Sequence, residues 1–178
     1  MIDREKLLKD LQGLLPKIEQ DILAYCEADA ERSAHLKAEY AKAKEAKRTA
    51  EHFVDWRAAQ VTQAAAAWLL SCVFIRFLED NELLSDPVLS GPAGGRLQHA
   101  KDRQTVYFNE HPTHAEREYL MQVFNDLNDV PVMARLLDPQ HNPLWQLPVS
   151  ADGAKAIIDF FQSVEPETGA IKHDFTDS

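Results

Sequence analysis

The residues from about 53 to 84 constrain the fold of this chain more than any other stretch. A helix placed there is apolar on nearly every side: small residues at 64–67 are followed by Trp68, Leu69, Cys72, Ile75 and Phe77. A helix with one apolar stripe lies on a surface, whereas one that is apolar all round must be enclosed by other elements. Its most apolar part, 64–78, is too short to cross a bilayer and carries Ser71 and Arg76. The opening MIDREK is charged from its third residue, unlike a signal peptide. We therefore expect a central core helix in a cytoplasmic protein, with no membrane partner. A chain of 178 residues is long enough to bury such a helix within one domain.

The flanking segments supply the enclosing elements. Leu7, Leu11, Leu14, Ile18 and Leu23, with Leu8, Leu15 and Ile22 beside them, recur at helical spacing. Pro16 falls within this run and is expected to kink it or to open a new first turn. Residues 28–50 are rich in Ala, Glu and Lys and favour a helix whose only bulky anchors are Leu36 and Tyr40. Turn chemistry at 85–95, SDPVLSGPAGG, ends the central helix. Beyond it, one helix is expected over about 96–109. Another should follow a capping box made by Thr113 and Glu116, with a short helical turn near 133–137. A last helix should follow an N-cap at Ser150, with Ile157, Ile158 and Phe161 facing the core. No run shows the sustained alternation of a half-buried strand. The expected fold class is all-α, an irregular helical bundle of about five to seven helices forming a single domain over 1–178. Within it, 1–52 is expected as a helical arm, 53–165 as a compact core and 166–178 as a connector.

The formal net charge of -10 is unevenly spread. Residues 1–60 hold 11 basic and 12 acidic groups, and residues 61–178 hold 8 and 17. Neutralising phosphates takes a surplus of Lys and Arg, so the acidic part favours protein over DNA as its main contact. The nearest approach to a basic patch is Lys37, Lys44, Lys47 and Arg48. At 100° per residue Lys37, Lys44 and Arg48 share one face of a 28–50 helix, with Lys47 at its edge. These four are the candidate contacts to a DNA backbone or a partner. The competing reading is an ordinary solvated helix face, with Glu51 placed to pair with Lys47.

Other constellations point to structure. Cys26 and Cys72 lie far apart among apolar helical neighbours and read as buried, reduced thiols. His111 and His114 lack the further ligands of a tetrahedral metal site. Glu79, Asp80 and Glu82 crowd the end of the central helix, where acidic charge opposes the dipole, and read as a solvated or partner-facing end. Asn142-Pro143-Leu144-Trp145 is one residue away from the Asn/Asp-Pro-Pro-aromatic loop with which amino-group methyltransferases clamp a flipped base. Such an enzyme also needs a parallel-sheet domain with a glycine-rich turn after its first strand. Here the glycine cluster at 91–95 follows a helix, and position 144 is Leu. The prolines at 139, 143 and 148 are therefore read as stiffening a connector, while Leu144 and Trp145 plug the core. No catalytic, cofactor-binding or metal-binding residue is assigned.

Taken in order, several phrases resemble the amino-terminal region of the PglX-type adenine-specific DNA methyltransferases of phage-growth-limitation and BREX anti-phage systems. They are MIDREKLLKDLQ, WLLSCVFIRFLEDNELL, RLQHAKDRQTVYFNEHP, LLDPQHNPLWQLPVSADGAKAIIDFF and HDFTDS. The most specific are DPQHNPLWQLP with the helix that follows it, and HDFTD. The resemblance implies a parent enzyme that transfers a methyl group from S-adenosylmethionine to the N6 amine of adenine, marking host DNA as self. It also implies that the cofactor and base-binding motifs lie downstream, with HDFTDS leading into that domain. On this reading the chain is catalytically silent by itself. It is a helical scaffold whose partners are the downstream methyltransferase domain, duplex DNA and other defence proteins. The charge leaves a second reading open, a free-standing acidic interaction protein or DNA-mimic decoy, although the acidic residues form no sustained stripe.

Overall fold

The structure is a computed structural model and describes residues 2–92 and 95–177. Ala93 and Gly94 of the glycine-rich turn, and Ser178 at the end of HDFTDS, lie outside the described residues. Among those residues the chain forms seven α-helices: α1 (Arg4–Glu27), α2 (Ala30–Glu45), α3 (Phe53–Asp80), α4 (Arg96–Glu110), α5 (Glu116–Leu127), α6 (Pro131–Leu136) and α7 (Ala151–Phe161). A 3-10 turn spans Pro143–Trp145. No strand is present among them, only an isolated antiparallel bridge between Val164 and Ile171. The fold is all-α, as the sequence leads one to expect.

The central helix is α3. Val61, Ala64, Ala65, Trp68, Leu69, Cys72 and Ile75 are buried, and Ala64 and Ala65 have no exposed surface at all. Without bulk at these two positions, the backbones of neighbouring elements can approach closely. The indole of Trp68 is fully enclosed and donates its N–H to the Leu147 carbonyl at 3.0 Å, which satisfies its one polar atom. Both thiols are buried and unpaired, and burial pushes them up from the ordinary cysteine range. By length and composition α3 could cross a membrane, unlike its most apolar part taken alone. Yet 56% of its most apolar window is buried inside this molecule.

Against α3 packs α1, through Leu7, Leu14, Ile18, Ile22 and Cys26. From Leu14 on these recur every four residues, with Leu7 two turns earlier, and form one stripe. Pro16 neither breaks nor restarts α1. It lies on the exposed face, as does Gly13, so the carbonyl that loses its amide partner opens to water. Leu7 to Cys26, from the segment expected as an arm, and Phe175, from the one expected as a connector, belong to the same buried cluster as α3, α5 and α7.

Several helix ends differ from expectation. The Ala/Glu/Lys segment starts later, because Asp29 caps α2 by accepting from the Arg32 amide at 2.8 Å. It packs through Leu36 and Ala43, while Tyr40 sits 5.4 Å from the rings of both Phe53 and Trp56. The central helix stops at Asp80, not near 84. Glu82 takes φ 58°, and the Leu83 amide returns to the Leu78 carbonyl at 2.8 Å, a Schellman closure. The cap of α5 is Ala115 and not Thr113. Glu118 reaches back to the Ala115 amide at 2.9 Å, so only the carboxylate half of a capping box exists, since alanine has no acceptor to complete it.

Ser150 does cap α7, its hydroxyl accepting from the Gly153 amide at 3.0 Å. The same hydroxyl and the Ser150 amide bond to Asp21 of α1. A side chain at Gly153 would meet this carboxylate, with Asp21 Oδ2 2.1 Å from an ideal Cβ. Gly153→Ala should therefore destabilise the protein by about 1–2 kcal/mol, the worth of a lost cap. Helix propensity alone favours alanine and gives the opposite sign. Urea unfolding of the two proteins checks this, and a midpoint raised by alanine would show that the α1–α7 tie is dispensable.

Candidate interaction site

The end of α3 carries a buried polar hub, although its acidic residues were expected at a solvated or partner-facing end. Arg76 and Glu79 have no exposed surface, and Asp80 is 7% exposed. The helix brings Arg76 and Asp80 together at i and i+4. The guanidinium bonds both carboxylate oxygens, at 3.2 and 2.9 Å. Its remaining donors reach the Phe161 carbonyl at 2.6 Å and the His173 carbonyl at 2.9 Å. Asp80 in turn accepts the Phe175 amide at 2.8 Å, and the Arg76 guanidinium lies 4.9 Å from the Phe175 ring centroid. Asn81 extends the set: its amide donates to the Phe175 carbonyl at 3.0 Å, and its oxygen accepts the Asp177 amide at 2.7 Å. The phrases FIRFLEDNELL and HDFTDS therefore meet in space.

Glu79 serves the opposite side of the helix end. Its carboxylate accepts the consecutive amides of Val88, Leu89 (2.7 Å) and Ser90 (3.2 Å), and lies 3.8 Å from the Arg76 Nε. One side chain thus anchors the loop that follows α3. Burial pushes the Glu79 carboxyl up to about 7, against the pull of those amides and of the Arg76 charge. The cluster expected as a solvated or partner-facing end is in this respect internal, and only Glu82 of the three acids is exposed.

The four basic candidates divide. Lys37 and Lys44 lie on α2, two turns apart, and both are exposed. Lys47 and Arg48 do not continue the helix, which ends at Glu45. Lys47 takes φ 55°, its amide bonds the Lys44 carbonyl at 3.0 Å, and the Arg48 amide bonds the Ala43 carbonyl at 2.9 Å. This is again a Schellman turn, with lysine where glycine is usual. The face drawn at 100° per residue therefore stops short of its last two members. Lys44 is tethered to the Ala50 carbonyl at 3.3 Å and lies 5.7 Å from the Tyr40 ring centroid. Glu51 lies beyond the turn, and its carbonyl accepts the Tyr40 hydroxyl. Three of the four cations thus gather at the C-terminal end of α2, where the dipole favours them.

Arg48 also edges a groove between α2 and the first half of α3. Its walls include Leu36, Glu39, Trp56, Gln63 and Trp145. Trp145 reaches it from the Pro143–Trp145 turn, where Asn142 accepts the Leu144 amide at 3.0 Å and donates to the Leu136 carbonyl at 2.7 Å. Asn142 is spent on the chain's own backbone, Leu144 is buried and the Trp145 indole bonds the Leu137 carbonyl. This is a core-plugging turn. His111 and His114 stack on each other at 4.9 Å, with His114 bonded to the Tyr107 hydroxyl. No group of three or more metal-ligand side chains occurs among the described residues.

Glu79 has a measurable pH signature. Its carboxyl titrates near 7 when folded, against 4.5 ordinarily, so the native state keeps a proton that the unfolded chain gives up. Its contribution to stability is full below pH 4.5 and falls as pH rises through 7, by on the order of 3 kcal/mol. Urea unfolding at several pH values should show this decline in the wild type and a smaller one in Glu79→Gln. Equal slopes in the two proteins would mean that Glu79 is ionised in the native state throughout.

No family model matches the chain. No solved structure matches it. Over 177 residues, 99% of its length, it is 40% identical to the adenine-specific methyltransferase PglX of Streptomyces coelicolor. The matched part is the amino-terminal one, and the chain spans 14% of that protein's length. From end to end, then, the chain corresponds to the amino-terminal region of a PglX-type protein.

Proposed function

We propose that this chain is the helical scaffold and interaction domain of a DNA adenine N6-methyltransferase in an anti-phage defence system. S-adenosylmethionine and the target base are held by the polypeptide beyond it, and the chain docks that polypeptide, other defence proteins and the DNA backbone. The observation that carries this reading is the 40% identity maintained over 99% of the chain to so small a share of PglX. The hub supports it: the WLLSCVFIRFLEDNELL and HDFTDS phrases are structural partners, so what they mark is a way of fastening the last residues onto α3. The groove and its basic edge are surfaces on which such a domain can act.

Blotting source cells with an antibody against this chain should give a band several-fold larger than 20.2 kDa. A band at that mass would instead favour the free-standing acidic protein or DNA-mimic decoy. The DNA interaction has its own test. Reversing Lys37, Lys44, Lys47 and Arg48 to Glu in the full-length protein should weaken duplex binding and flatten its salt dependence, by about one unit of slope for each phosphate no longer neutralised. An unchanged titration removes these four residues from the DNA interface.

A further inference from the structure

The same face of α3 that floors the groove emerges bare further along. Leu70 is 51% exposed, Phe74 47% and Phe77 39%. At 100° per residue they fall, with Asn81, within about 60° of arc, so they form one stripe running to the end of the helix. Contiguous exposed apolar surface on a soluble fold marks a contact site, and two phenylalanines at its centre are the residue type that anchors interfaces. Arg76, Glu79 and Asp80 of this helix end are buried and do not border the stripe.

What covers the stripe follows from the path of the chain. The Asp177 amide is bonded to Asn81, one turn beyond Phe77 on the same face. The last described residue is thus delivered to the end of the stripe, and in PglX most of the polypeptide lies outside the matched 14%. We propose that Leu70, Phe74 and Phe77 seat the polypeptide that follows this segment in PglX-type proteins, an inference that rests on the scaffold reading above. That polypeptide enters beside Phe77 and presents an apolar surface to the stripe, so the domain is fastened twice: covalently through the tail and by burial of α3.

The test uses this chain and the separately expressed polypeptide that continues a PglX-type protein beyond it. The wild-type chain should bind it, and Phe74→Glu with Phe77→Glu should weaken binding at least about 30-fold. A Phe74→Ser, Phe77→Ser pair, chosen to disturb the fold less, should weaken it too, with the helical circular dichroism and melting of the wild type. Val132→Glu, at a barer position elsewhere, should change nothing. If the wild type binds and both Phe pairs bind equally well, the stripe is not the seat, and the scaffold reading stands. If the wild type does not bind at all, the scaffold reading falls and takes this inference with it. Self-association of the chain that the Phe74 and Phe77 changes abolish would give the stripe to a second copy. Binding to phosphatidylcholine vesicles, abolished in the same variants, would give it to a lipid surface. Either result overturns the proposal.

Discussion

A guanidinium with no exposed surface is the constraint around which the rest of this molecule is arranged. An arginine cannot shed its charge on burial, so its donors must be met by acceptors inside the protein. Arg76 meets a carboxylate one turn away on its own helix and two carbonyls from segments 85 and 97 residues distant. The local partner comes with helix formation, but the distant ones require α7 and the tail to be in place. Formation of the Arg76 site and closure of the bundle are therefore one event. Removing either ionic partner would cost about 3–5 kcal/mol, because the other is left buried without its counter-charge. The pair itself says little about net stability. Its consequence is register, since it holds the tail at His173 and Phe175 against α3.

What could be read from the sequence was what depends on period. The stripe of α1, the all-round burial of α3, the Ser150 cap and the core face of α7 each rest on residues within a turn or two of one another. The core role of Leu144 and the burial of both cysteines were legible for the same reason, as apolar groups among apolar neighbours. Pro16 opens no new turn and leaves α1 continuous; its cost depends on which side of the helix it faces, and it faces water.

The sequence was silent wherever a partner came from far away. Nothing near Glu79 announces that it will hold three amides from the next loop, and nothing near Asp80 announces a bond to residue 175. An acidic pair at a helix end looks solvated until the tail and loop are laid over it. The one usable signal was Arg76, a charge inside the most apolar run, which needed an internal counter-ion at i+3 or i+4. The basic candidates present a different case. Lys47 adopts a left-handed conformation that lysine rarely takes, so a face drawn by helical arithmetic ran past the true end of α2.

The fastening of the tail has a mechanical meaning. Residues such as 173–177 usually form a slack tether, along which the motion of one body is dissipated before it reaches another. Here His173, Phe175 and Asp177 are tied in succession to Arg76, Asp80 and Asn81. A pull or twist applied beyond Asp177 is passed without slack to the last turn of α3, and through that helix to the elements packed on it.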